Sequence, residues 1–333
     1  MATQIKSIAV VGGGAWGTAL ATVGRRAGRR VALWARESEV ADAINARHEN
    51  ELFLPGIALD DGIRASTDHS LVAEADAVLL VSPAQATRAV AENLYEHLEP
   101  GTPVAICAKG IEQTTGKLLS EVLSEALPQA EVMVLSGPSF AADVARGLPT
   151  AVTLAGASEP LTRAVADAIA IPSFRPYLSG DVTGAQVGGS VKNVLAIACG
   201  IVEGKGFGAS ARAALTARGF AELQRFGVAL GAKPETLAGL SGLGDLILTC
   251  NSAQSRNMSL GLALGQGQSV EDVLGARNSV SEGVYTAGIV VEIAEKLGIE
   301  MPISAAVHAI VSGRTGVDAT IENLLNRPIR AEA

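Results

Sequence analysis

The segment IKSIAVVGGGAWGTALATVGRR, residues 5–26, is an apolar run that ends in a glycine turn and continues at helical spacing. Gly12, Gly14 and Gly17 fill the three positions of a GxGxxG turn between a strand and a helix. A tight turn at Gly12 and a missing side chain at Gly14 let a pyrophosphate approach the helix N-terminus, and Gly17 allows helix and strand to pack closely. The turn therefore predicts dinucleotide binding.

A second strand, VALW at 31–34, follows at the distance a βαβ unit requires. It ends at Arg36, where a domain specific for NAD more often carries an acidic residue that binds both ribose hydroxyls. A guanidinium there pairs with a 2′-phosphate, so NADP is favoured. Glu37 beside it keeps NAD open, and the plain alternative is a solvated arginine at a helix start. Further apolar runs, IRAS, AVLLVS, PVAICA, EVMVLS, TAVTLA and FRPYLS, read as strands up to about Ser179. Helical stretches are predicted between them at 16–26, 38–46, 84–97, 115–127, 139–146 and 160–170. Beyond Asp181 long Ala/Leu/Val stretches at helical spacing replace the strands. The fold class is thus α/β, a Rossmann-type doubly wound N-terminal domain (residues 1–181) followed by an all-α C-terminal domain (182–333) that carries the substrate site. No flexible linker separates the halves, and a shared interface is the place for a ligand cleft.

Composition excludes several function classes. Of 333 residues, 48% are hydrophobic and only 18% charged, enough apolar material for sizeable cores. A formal charge of -8 argues against nucleic acid or an anionic membrane surface as partner. Cys107, Cys199 and Cys250 show neither metal spacing nor an even disulfide count, so no metal site is expected and a reducing, cytoplasmic setting fits. The start of the chain is too short and polar before its first apolar run for a signal peptide. The stretch 182–202 is long and apolar, but Gln186, Ser190, Lys192, Asn193 and four glycines interrupt it; it reads as a buried helix without membrane insertion, with Gly184 and Gly188 as close-packing positions.

Lys192 is the lone charge between Asp181 and Glu203. Burial drives a lysine toward the working range of a general acid or base, while a carboxylate neighbour holds its charge. The alternative is a lysine snorkelling to the surface. Asp245, pinned in LSGLGDL, is a candidate partner, or simply a helix cap. Ser255-Arg256-Asn257 opens a helix and suits an anion, although a serine there is equally an ordinary cap. Lys109 and the Ser136–Phe140 turn end strands on the ligand side of the sheet and describe, with Lys192, a small anionic ligand. No tyrosine precedes a lysine by four residues, and His48, His69, His97 and His308 fall in no metal or triad spacing.

The segments GGGAWGTALA (12–21), LPG (54–56), KGIE (109–112), SGPSFAADVARGLPTAV (136–152), VKNVLAIACGIVEG (191–204), GLGDLILTCNSAQSRN (242–257) and SVSEGVYTA (279–287) together resemble the bacterial NAD(P)-dependent glycerol-3-phosphate dehydrogenase family over nearly the whole chain. The resemblance implies reversible NAD(P)H-dependent reduction of dihydroxyacetone phosphate to sn-glycerol 3-phosphate, feeding glycerophospholipid synthesis, by a homodimer. It implies Lys192 as catalytic acid/base and Lys109 against both cofactor and substrate. Gly137, Ser139, Asp245, Ser255, Arg256 and Asn257 fall at substrate positions. Ala15, Trp16, Arg36, Ala141, Arg256, Val280 and Glu282 fall at cofactor positions. Phe53, Ser210 and Ala217 depart from the family's usual Tyr, Asn and Thr, and lose those polar groups. Two rivals stand beside this reading: a related two-domain dehydrogenase acting on another hydroxy acid, and a non-catalytic NAD(P)-binding protein.

Overall fold

The computed structural model describes residues 4–275 and 282–328; Val280 lies outside the described residues. Eight strands form one sheet: β1 (Ser7–Val11), β2 (Arg30–Trp34), β3 (Ile63–Ser66), β4 (Ala77–Leu80), β5 (Pro103–Ile106), β6 (Glu131–Ser136), β7 (Thr150–Gly156) and β8 (Phe174–Ser179). Their order is β3-β2-β1-β4-β5-β6-β7-β8. Every residue of β1, β4 and β5 is buried, as strands covered on both faces by crossover helices must be. β8 carries Arg175 and Pro176 and is only partly covered, which suits the sheet's edge, where a missing N–H costs no ladder bond.

Six helices accompany the sheet: α1 (Ala15–Arg26), α2 (Ser38–Arg47), α3 (Thr87–Leu94), α4 (Leu119–Ala126), α5 (Ala141–Arg146) and α6 (Glu159–Ile169). Two departures from the sequence pattern bear on the site. The predicted helix at 84–97 is a 3-10 turn at Ala84–Ala86 followed by α3, which ends at Leu94. The one predicted from Thr115 begins only at Leu119, because 107–118 form a loop closed by a bridge between Ile111 and Leu118. The sheet itself is not wholly parallel. β7 runs antiparallel to β6, so Met133 faces Gly156 and Ser136 faces Thr153. The short α5 does not return the chain to the start of the sheet, as a parallel crossover would.

From Val182 onward the described elements are helical: α7 (Val182–Gly204), α8 (Gly208–Ala229), α9 (Pro234–Leu237), α10 (Asp245–Cys250), α11 (Arg256–Gly265), α12 (Val270–Gly275), α13 (Glu282–Leu297), α14 (Pro302–Val311) and α15 (Val317–Leu325). α7 has the length and composition to cross a membrane, yet 94% of its apolar window is buried inside the protein. It is buried on all sides from Gly184 to Ile201, as the central helix of a bundle is. Asp181 caps its first turn, accepting from the Gly184 N–H at 2.8 Å.

Candidate active site

The sheet's order reverses at β1, which lies between β2 and β4, and doubly wound sheets bind ligands beyond the strand ends at such a point. Gly12 there has φ +136°, and a Cβ on it would lie 2.7 Å from the Val81 carbonyl oxygen. A Cβ on Gly17 would sit 1.8 Å from the Gly12 oxygen, so these two glycines are demanded by the protein's own packing. Gly14 is different: a Cβ there meets nothing within 4 Å. No side chain caps α1, so the N–H groups of its first turn, at Ala15 and Trp16, open onto that space. A bare helix N-terminus beside a glycine with room in front of it fits the pyrophosphate of a dinucleotide.

The chemical centre lies where the strand ends meet α7. Lys192 (6% exposed) donates from Nζ to Asp245 Oδ1 at 2.5 Å and to Thr249 Oγ1 at 2.9 Å. Lys109 approaches from the loop after β5 and donates from its own Nζ to the other oxygen, Asp245 Oδ2, at 2.7 Å. A further bond runs from Lys109 Nζ to the Gly137 carbonyl at 3.0 Å, which also accepts from the Ser139 hydroxyl. One carboxylate, 1% exposed, therefore serves two ammonium groups. Burial pushes Lys192 down from an ordinary 10.5 to about 8; Asp245 opposes the fall and the Lys109 charge adds to it.

Local sequence explains why these groups can meet. Gly188 and Gly189 sit side by side on α7. A Cβ at 188 would lie 2.5 Å from the Ser241 carbonyl oxygen, in a π-type turn (Leu240–Gly244) that leads into α10 and Asp245. A Cβ at 189 would lie 2.8 Å from Ser136 Oγ and 3.2 Å from Lys109 Cγ. The paired glycines admit Asp245 on one flank of α7 and the lysine stem on the other. Thr249 follows Asp245 by four residues, on the same helix face, and donates to the Asp245 carbonyl at 2.6 Å. Sequence reasoning passed over Thr249, although that i, i+4 spacing within DLILTC was its signal.

The remaining candidates divide. Glu282, partly buried at the start of α13, accepts from the Ala84 N–H at 3.1 Å, and burial raises its pKa against the pull of Arg256, Lys109 and Lys192. It thus belongs to the same electrostatic cluster, as does the exposed Arg256. Ser255 accepts from the Met258 N–H at 3.2 Å, acting as the cap of α11. Asn257 is buried and accepts from the Gly283 N–H at 3.1 Å, tying α11 to α13. Ala141 is the first residue of α5 and packs against the core. Arg36 follows β2; its side chain is 82% exposed and bound to Glu37 at 2.6 Å.

A family model described as NAD-dependent glycerol-3-phosphate dehydrogenase, N-terminus, matches residues 7–162, and its C-terminal counterpart matches 181–322. The glycerol-3-phosphate dehydrogenase (NAD(P)+) of Parvibaculum lavamentivorans is 63% identical over 332 residues and covers 100% of both chains. That of Caulobacter vibrioides is 58% identical over 98% of this chain and 99% of its own. Among solved structures, glycerol-3-phosphate dehydrogenase from Coxiella burnetii superposes with a TM-score of 0.92 at 38% identity, over 96% of this chain and 99% of its own.

Proposed function

The chain belongs to the NAD-dependent glycerol-3-phosphate dehydrogenase family, and from that premise we propose that Lys192 is the acid/base of reversible reduction of dihydroxyacetone phosphate to sn-glycerol 3-phosphate. The observation that carries this reading is the buried Lys192–Asp245 pair at 2.5 Å. A bound NAD(P)H supplies the hydride; the chain supplies position and charge. Asp245 and Thr249 hold the Lys192 ammonium in one orientation, from which its Nζ gives a proton to the oxygen that becomes an alkoxide. In the reverse direction the neutral amine takes that proton back. Lys109 brings a second cation to the same oxygen's surroundings, which favours developing negative charge. Arg256, with Ser139 and Asn257, receives the phosphate, and that remote binding energy fixes the carbonyl carbon.

The first-turn N–H groups of α1 and the space at Gly14 take the pyrophosphate, and Ala141 and Glu282 serve at other cofactor positions. Arg36 favours NADPH by exchanging Glu37 for the 2′-phosphate. Residues 1–181 serve as the cofactor domain and 182–333 as the substrate domain. The setting is cytoplasmic, in keeping with three free cysteines, the assembly a homodimer, and the product a feed for glycerophospholipid synthesis.

The test is the initial rate of NADPH and NADH oxidation with dihydroxyacetone phosphate, beside unphosphorylated dihydroxyacetone and a panel of 2-oxo acids. Turnover confined to the phosphorylated ketone, abolished in Lys192→Ala with cofactor binding retained, is the expected result. Activity on an oxo acid instead would sink it. Arg36→Ala should raise KM for NADPH and leave NADH unchanged.

A further inference from the structure

The loop that presents Lys109 is gripped by side chains at each residue from 109 to 113. From α7, Asn193 Nδ2 donates to the Lys109 carbonyl at 3.2 Å and Ser190 Oγ to the Gly110 carbonyl at 3.0 Å. From the start of α3 and the turn before it, Gln85 donates to the Ile111 carbonyl at 2.8 Å and accepts from the Gln113 N–H at 2.8 Å. Arg88 makes a two-pronged bond to Glu112, Nε to Oε1 and Nη2 to Oε2, both at 2.9 Å. Glu112 is 6% exposed and also accepts from Thr115 at 2.5 Å. A bidentate pair fixes orientation as well as distance, more than a peripheral surface loop needs. It sits three residues from an ammonium that must reach a shared carboxylate.

We propose that the Arg88–Glu112 ion pair is a positioning device for Lys109, holding its loop so that the Lys109 ammonium takes one oxygen of Asp245 and leaves Lys192 only the other. The inference rests on reading Lys192 as the acid/base. Its consequence is chemical. With Lys109 in place, Lys192 faces a carboxylate already half neutralised and a like charge beside it, and both effects favour its neutral form. With the loop released, Lys109 withdraws, Asp245 belongs to Lys192 alone, and Lys192 holds its proton to higher pH. The other charged or titratable groups around this cluster are Glu282 from α13, Arg256 from α11, Cys250 from α10 and Cys107 just after β5, and Arg88 also holds Glu125 of α4 at 2.9 Å, which pairs in turn with Lys117.

The experiment compares full-length wild type with Arg88→Gln, Glu112→Gln, the double variant and Arg88→Lys. It reads the pH profile of dihydroxyacetone phosphate reduction, cofactor Kd by nucleotide fluorescence, and Tm. Through-space electrostatics alone would move the two single variants in opposite directions, because one removes a cation and the other an anion. Positioning moves both upward, the alkaline midpoint rising by about one pH unit, with kcat falling on the order of 10- to 100-fold and cofactor Kd within about twofold. Arg88→Lys should fall between wild type and Arg88→Gln. The double variant, free of an unpaired buried charge, should regain Tm and keep the displaced midpoint. Opposite shifts, an unmoved midpoint, or a midpoint that recovers together with Tm would overturn the proposal. A wild type inactive on the phosphorylated ketone would instead overturn the acid/base reading beneath it.

Discussion

Replacing Asp245 by Asn removes the charge that both lysines share while keeping the side chain's shape. Asp245 touches both ammonium groups, at 2.5 and 2.7 Å. Burial already lowers Lys192 to about 8 with the carboxylate working against the fall. A unit charge at about 4 Å contributes about 4 kcal/mol at an effective dielectric of about 20. Half of that, at about 1.4 kcal/mol per pH unit, would carry the Lys192 midpoint to about 6.5. Reduction of the ketone needs the charged form, so in wild type the rate should fall as pH rises through about 8; oxidation of the alcohol needs the neutral form and should rise through the same range. In Asp245→Asn both limbs should shift toward acid. At pH 7.5 the variant then keeps roughly a tenth of its Lys192 protonated and also loses the group that orients it, so kcat/KM for reduction should drop on the order of 100- to 1,000-fold. The assay is initial-rate NADPH oxidation from pH 5.5 to 9.5, with glycerol 3-phosphate oxidation run in parallel. A variant that retains wild-type rates with its alkaline limb still near 8 would refute the view that Asp245 holds the Lys192 charge.

Gly14→Ala and Gly17→Ala should separate a ligand requirement from a packing requirement. The first adds a methyl facing open space and should leave stability within about 0.5 kcal/mol while weakening cofactor Kd on the order of tenfold. The second places a carbon 1.8 Å from a backbone oxygen and should cost more than about 3 kcal/mol in urea unfolding. Gly189→Ala gains helix propensity but pushes on Lys109 and Ser136, so thermal unfolding should change little while steady-state kcat/KM falls about tenfold. Glu222, buried in α8, accepts from the Ile303 and Ser304 N–H groups and the Ser304 hydroxyl, capping α14 from a distant helix. Glu222→Ala should lower unfolding free energy by about 2–4 kcal/mol, and a variant as stable as wild type would show that water replaces those bonds.

Much of the fold is written locally. All eight strands lie in runs that the sequence marks as strands, and β1, β4 and β5, buried at every residue, are apolar there because a strand covered on both faces must be. Gly17 is equally local, since it answers to the Gly12 oxygen of its own turn, whereas Gly12 is hemmed in by the Val81 carbonyl after β4. Lys192 stood out in sequence because an isolated charge in an apolar helix needs a partner, whatever the tertiary arrangement. What the chain's periodicity does not encode is which distant groups meet. Asp245 is 53 residues from Lys192 and 136 from Lys109, and that one carboxylate serves both follows from two approaches to α7 that Gly188 and Gly189 permit. The reversal of β7 and the bond from Ala84 to Glu282 belong to the same class. Hydrophobic pattern and turn chemistry are properties of neighbouring residues, so the sequence by itself determined the elements and the charges that need partners. The choice of partner depends on how packed elements cross, so only the tertiary structure decided it.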